Sequence, residues 1–184
     1  RPLRVISGLE EAKLIRFHPK SNTGKNKIFV DLGGGSTEFF IRNSEETIIR
    51  SFQLGAVRNM LKKDEKKEWL RLETWLQSIK TKKKLIGIGG NIRSFLNSHN
   101  AKEMTVTEFL KKSSKLSKLS NEEKINKYGF SPDRSDVIDE ALKIFQFILL
   151  QLEIQSITST KWGISDSIAI KLFHELYSTK VDIS

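Results

Sequence analysis

The residues best suited to chemistry stand in one string, Asp31-Leu-Gly-Gly-Gly-Ser-Thr-Glu38. A continuous apolar run, Ile28-Phe29-Val30, leads into Asp31, as in a strand buried on both faces. A carboxylate at the end of such a strand is costly to bury unless something engages it. Gly33, Gly34 and Gly35 allow close backbone approach to a ligand and can aim amide N–H groups into one concavity, which is what phosphate oxygens need. Ser36 adds a hydroxyl. Glu38 lies two positions beyond it on the outgoing strand, so Asp31 and Glu38 can both face the mouth of one hairpin. Hard oxygen ligands placed there suit Mg²⁺, held directly or through water. The plainer reading is a glycine hairpin with two surface acids. Bare Gly-Gly-Gly supports only that; the whole string favours a phosphate site.

Other segments are weaker alone. The turn Gly87-Ile-Gly-Gly90 precedes a helix, and the amides of Gly89 and Gly90 could hold another phosphate or a nucleotide, although a simple strand-to-helix turn reads the same way. Arg58 and Arg93 suit either a phosphate contact or the role of ordinary helix cations. Glu10 and Glu11 cannot share one helical face, so at most one reaches a common site; without further context they are an acidic first helical turn. His18, His99 and His174 are scattered without metal-ligand spacing and read as surface residues. Trp69, Trp75 and Trp162 read as packing anchors.

The elements that must position these residues follow from patterning. Residues 3–6 read as a strand end, 8–16 as a helix start and 18–27 as a loop. Strands at 28–31, 39–42 and 47–52 form a meander. Trp69, Leu72, Leu76 and Ile79 recur at helical spacing. A short strand at 84–88 is followed by helices at 91–98 and 106–119, a helix start at Ser120-Asn-Glu-Glu123, and the longest helix from Ser131-Pro-Asp133. The strand at 154–158 and the helix marked by Ile164, Ile168, Leu172 and Leu176 complete an α/β chain.

The composition is that of a globular chain: 184 residues, 38% hydrophobic and 29% charged, without cysteine. Disulfides, thiolate catalysis and zinc-thiolate sites are thereby excluded. No apolar run approaches a membrane span, and a cytoplasmic location is the default expectation. The net charge of +10 suits a polyanionic partner. Acids at Asp64, Glu65, Glu68 and Glu73 interrupt the lysines of 62–84, as on a solvated helical surface.

Five collinear segments resemble the exopolyphosphatase/guanosine pentaphosphate phosphohydrolase (Ppx/GppA) family. Asp31-Leu-Gly-Gly-Gly-Ser-Thr-Glu38 resembles its second phosphate-binding segment, Val5-Ile-Ser-Gly-Leu-Glu-Glu-Ala12 its Ile-Ser-Gly-x-Glu-Glu-Ala segment, and Leu54-Gly-Ala-Val-Arg58 its Leu-Gly-Ala-Val-Arg segment. Gly87-Ile-Gly-Gly-Asn-Ile-Arg93 is similar to its Gly-x-Gly-Gly-Thr-x-Arg turn, and Arg134-Ser-Asp-Val-Ile138 to a family helix start. The resemblance implies an actin-like ATPase (ribonuclease H-like) lobe whose mixed sheet begins with an antiparallel meander and is flanked by helices. Residues 1–20 would be the tail of a missing first lobe and an inter-lobe helix, and 21–184 the second lobe. It implies that Glu11 orients the attacking water, that Gly33, Gly34, Gly35, Ser36, Gly89, Gly90 and Arg93 hold phosphate, and that Asp31 and Glu38 hold Mg²⁺.

The implied activity is release of terminal phosphate from inorganic polyphosphate, or of 5′-phosphate from guanosine pentaphosphate. The implied partners are those polyphosphates or guanosine penta/tetraphosphate, the first lobe of the same protein, and a second copy in a homodimer; neither membrane nor nucleic acid is expected. Three departures qualify this. The family's Asp-Leu/Ile-Gly-Ser-Asn-Ser segment is nowhere in the chain, Asn91 stands where Thr is usual, and Gly163-Ile-Ser-Asp-Ser167 replaces a closing segment resembling Gly-Leu-Arg-Glu-Gly. The last motivates an alternative, a non-catalytic descendant that binds (p)ppGpp or a protein. A sugar kinase or actin-type ATPase comes third, and nucleic-acid binding from charge alone comes last.

Overall fold

A computed structural model describes residues 7–17, 26–42, 47–79, 84–161 and 163–178. The apolar run at 28–30 lies in β1 (Lys27–Leu32), which pairs antiparallel with β2 (Thr37–Arg42), itself antiparallel to β3 (Thr47–Phe52). On its other side β1 runs parallel to β4 (Lys84–Ile88), which runs parallel to β6 (Ser156–Ser159). β5 (Glu103–Thr105) closes that edge, antiparallel to β6. Among the described residues the strands form one sheet in the order β3-β2-β1-β4-β6-β5.

Alternation along β1 divides the core in two. Ile28, Val30 and Leu32, with Phe39, Ile41, Phe52 and Leu85, face the larger core. It is covered by α2 (Ala56–Met60), α3 (Lys66–Ser78), α4 (Gly90–Asn97), α5 (Val106–Leu116), α6 (Asn121–Tyr128) and the long α7 (Pro132–Gln151), which packs against the other five. Phe29, Phe40, Ile86 and Ile88 face a smaller core with Ile15. That residue lies in a 3-10 turn (Ile15–Phe17) between α1 (Gly8–Leu14) and the chain's later elements, and α8 (Ile164–Ser178) packs on this turn and on α1. Residues buried on both faces explain why β1 reads as a continuous apolar run.

Local chemistry sets the helix ends. Thr105 with Glu108, and Ser120 with Glu123, form reciprocal capping boxes at α5 and α6. Gly129 ends α6 in the left-handed region at φ 69°, and Pro132 opens α7 at a position where a missing N–H costs nothing. Aromatic packing agrees with expectation at Trp75, whose ring lies 4.9 Å from Phe39 and 5.4 Å from Phe52, and at Trp69, 5.2 Å from Phe147. Trp162, His18, the strand end at 3–6 and most of the loop at 18–27 lie outside the described residues.

Several expectations need correction. The helix expected to reach residue 119 ends at Leu116. β5 and α2 were not anticipated, being three and five residues long, too short to display a period. His99 is not a surface residue: its ring is half-buried, 4.8 Å from Phe95 and 5.3 Å from Tyr128, and its Nδ1 lies 2.9 Å from the Phe95 carbonyl oxygen. Among the described residues no helix is long and apolar enough to cross a membrane.

Candidate phosphate site

The parallel strands β1 and β4 end side by side, with Asp31 paired to Ile88, and a glycine turn follows each. Crevices beyond the carboxyl ends of parallel strands are where α/β sheets place ligands.

The first turn is held almost entirely by α2. Gly33 N–H donates to the Ser36 carbonyl at 3.0 Å and closes the turn. The carbonyls of the three glycines are then taken from one side: Gly33 by Ala56 N–H (3.0 Å), Gly34 by Arg58 N–H (2.9 Å) and Gly35 by Arg58 Nε–H (2.8 Å). In a trans peptide the C=O and the following N–H point in opposite directions. The amides of Gly34, Gly35 and Ser36 therefore point away from α2, and none of them has a backbone carbonyl partner among the described residues. Successive amides aimed at one side form an anion-binding concavity.

None of Gly33, Gly34 and Gly35 has a positive φ, so space rather than conformational freedom accounts for glycine at the crowded positions. A Cβ on Gly34 would stand 3.1 Å from Val57 Cγ2, and one on Gly55 would stand 2.6 Å from backbone atoms of Gly34 and Gly35. Thr37 completes the seat, its buried hydroxyl donating to the Leu54 carbonyl at 2.6 Å.

The second turn lies against the first. Gly89 adopts φ +95°, and a Cβ there would stand 3.2 Å from Asp31 Oδ1, so the Asp31 carboxylate touches the turn that opens α4. Gly90 lies under Arg134, from the first turn of α7; a Cβ on it would be 2.6 Å from Arg134 Nη2. Arg134 Nη1 donates a short hydrogen bond to Asn91 Oδ1, and Asn91 Nδ2 donates to the Leu32 carbonyl at 3.2 Å. Asn91 thus ties the end of β1 to the starts of α4 and α7, its amide nitrogen donating to one and its amide oxygen accepting from the other. Arg134 is the cation that sequence reasoning missed. Its segment was noted only as a helix start, because nothing local shows that α7 begins beside Gly90.

Asp31 and Glu38 are directly opposed across β1 and β2, on the face covered by the 3-10 turn and α1. Glu38 is 2% exposed and accepts the Ser51 hydroxyl at 2.9 Å. α1 packs on β2 and β3 over this same face and carries Glu11, whose side chain lies outside what is described. Glu10 is engaged locally, as its Oε2 accepts the Ser7 N–H (2.9 Å) and hydroxyl (3.0 Å) in a helix cap.

The arginines noted in the sequence have other partners or none shown. Arg58 binds the Gly35 carbonyl and, through Nη2, Gln53 Oε1 at 3.0 Å. Arg93 is half-buried on α4, and its buried Nε has no hydrogen-bond partner among the described residues. Asp166 accepts Gly163 N–H at 2.7 Å, capping α8.

The fold is an α/β lobe with a mixed sheet of actin-like ATPase type and two glycine turns at the ends of parallel strands. The chain belongs to the Ppx/GppA phosphatase family, whose sequence profile matches residues 1–175. Solved structures agree. The Aquifex aeolicus member of the Ppx/GppA family superposes with a TM-score of 0.75 at 21% identity, over 98% of this chain and 66% of that one. An exopolyphosphatase from Cytophaga hutchinsonii gives 0.76 at 19% identity, over 95% of this chain and 65% of that one. An exopolyphosphatase-like protein gives 0.73 at 18% identity, over 92% and 66%. The chain therefore spans just under two thirds of the length of the relatives it matches.

Proposed function

We propose that this chain is the phosphate-holding lobe of a phosphohydrolase that releases terminal phosphate from inorganic polyphosphate or the 5′-phosphate of guanosine pentaphosphate. The observation that carries this reading is the set of amides at Gly34, Gly35 and Ser36, turned outward because α2 takes the three carbonyls behind them. In this reading those amides and the Ser36 hydroxyl hold one phosphoryl group. The Gly89-Gly90 turn and Arg134 receive a neighbouring one, and Arg93 on α4 is the further phosphate contact that the family resemblance implies. Glu11 would orient water for in-line attack, the role the family resemblance implies. The +10 charge favours encounter with polyanions of either kind.

Mg²⁺ fits the donor set. Two carboxylates face each other across adjacent strands, and carboxylate oxygens are hard ligands of the kind this ion takes. Among the described residues no three such ligands gather, and a site with two carboxylates that leaves its other positions to water and phosphate oxygens is the usual manner of binding for Mg²⁺. Asp31 and Glu38 would hold the ion, which neutralises phosphate charge when bound. The rest of the cleft would come from a further lobe, for which the relatives' extra length provides.

The test uses the two-lobed protein. Glu11→Ala is expected to lower phosphate release from polyphosphate and from guanosine pentaphosphate by about 100-fold or more while leaving the folded state intact. Unchanged turnover would remove Glu11 from the reaction. Binding of either ligand by the unaltered protein, without any release, favours the non-catalytic reading that the Gly163–Asp166 cap and altered closing segment bring forward.

A further inference from the structure

We infer that Arg58 is a positioning residue for the phosphate cup: its side chain fixes the direction of the Ser36 amide through the Gly35 carbonyl and contacts no phosphate itself. The inference rests on the phosphate-site reading above and goes beyond it. Of the three tethers on the glycine carbonyls, two are backbone amides of α2, which any residue there supplies. The third is a side chain, Arg58 Nε–H at 2.8 Å from the Gly35 oxygen. Because C=O and the next N–H are opposed in a trans peptide, that single contact sets where the Ser36 N–H points.

A second hydrogen bond stops the guanidinium turning about its own axis, Arg58 Nη2 to Gln53 Oε1 at 3.0 Å. Gln53 is anchored in turn. Its N–H donates to Glu68 Oε2 at 3.0 Å, and Glu68, whose side chain is only 12% exposed, is bridged to Arg71 at 3.1 Å. Arg71 Nη2 donates to the Ser51 carbonyl at 2.6 Å, and its guanidinium lies 4.6 Å from the centre of the Phe52 ring. A connected line of contacts thus runs from α3 and the sheet edge to one peptide of the cup. Arginine suits this position because its planar fork donates in two fixed directions at once; a lysine ammonium on a flexible stem keeps the charge but loses that geometry.

The test compares Arg58→Lys, Arg58→Gln and Gln53→Ala in the ¹⁵N-labelled chain, first free of anion and then titrated with sodium tripolyphosphate. Positioning predicts that the Ser36 amide resonance moves and exchanges faster in all three variants before any anion is added. It also predicts that lysine and glutamine at position 58 weaken tripolyphosphate binding alike, by about tenfold, as loss of one charge-assisted hydrogen bond would. A Ser36 amide unmoved in the anion-free variants, or near-normal affinity in Arg58→Lys with loss only in Arg58→Gln, overturns the inference and makes Arg58 a direct charge contact. Should the unaltered chain bind no tripolyphosphate at all, the phosphate reading fails, and the anion-free Ser36 resonance still decides the positioning claim.

Discussion

Gly55 sits so close to Gly34 that a β-carbon at position 55 would stand 2.6 Å from the Gly34 carbonyl carbon and oxygen. Gly55 itself is extended, at φ −157° and ψ 158°, a conformation open to any residue. The requirement for glycine is therefore steric, and it comes from the Gly34-Gly35 backbone. What presses on that turn is backbone, which cannot rotate aside as a flexible side chain could.

Gly55→Ala is accordingly expected to displace the cup as well as strain the fold. Overpacking of this kind costs about 1–3 kcal/mol. Calorimetric titration with tripolyphosphate should show affinity reduced by at least the tenfold that one lost hydrogen bond represents. Normal affinity in a folded Gly55→Ala chain would separate α2 from the cup.

Asp31 and Glu38 face one another in register, and Glu38 already has Ser51 as a neutral donor. Glu38→Gln retains the size of the side chain and a carbonyl oxygen for Ser51 while removing the negative charge. Asp31→Asn and Glu38→Gln should each abolish the gain in tripolyphosphate affinity on adding Mg²⁺. A Mg²⁺ effect that survives in both variants would place the ion elsewhere.

Burial of the His99 ring between Phe95 and Tyr128 holds its pKa below the ordinary 6.5, with Lys112 and Lys115 acting in the same direction and the Phe95 carbonyl opposing. On acidification the unfolded chain is protonated first. The stability contributed by neutral His99 is thus complete above the ordinary value and is lost as pH falls through the lower folded one. Melting temperatures from pH 8 to 5 should fall more steeply for the unaltered chain than for His99→Gln. Parallel profiles would contradict this.

Lys124 Nζ lies 2.6 Å from Asp139 Oδ2, joining α6 to α7, with the lysine side chain 3% exposed and the aspartate 27%. Removing the acid strands a buried cation, so Asp139→Ala should destabilise the fold by about 3 kcal/mol in urea unfolding. A change below about 0.5 kcal/mol would show that water reaches Lys124.

The fold was legible where local chemistry and tertiary demand agree. Ile28-Phe29-Val30 reads as a strand because both faces are covered, and Ser120 with Glu123 marks a helix start because the cap is a contact within four residues. The glycines of 33–35 read as a tight turn between two strands, and a tight turn joins β1 to β2. What escaped was whatever depends on elements distant in sequence. α2 has no period to show in five residues, yet it orients the cup. Arg134 and Gly90 are 44 positions apart and meet only once α7 is packed on α4. Arg58 carried the right charge for a phosphate contact, but its direction is set by Gly35 and Gln53, which no spacing reveals. Asn91 departs from the family's usual residue and is nevertheless the link between Leu32 and Arg134.

In the proposed function the amides of Gly34, Gly35 and Ser36 receive a phosphoryl group. The most direct test of this is titration of the ¹⁵N-labelled chain with tripolyphosphate and Mg²⁺, following backbone amide resonances. These three amides should shift together and saturate with one affinity, accompanied by Gly89 and Gly90. Saturable binding that leaves all three unmoved, with shifts confined to the exposed lysines of α3, would contradict it.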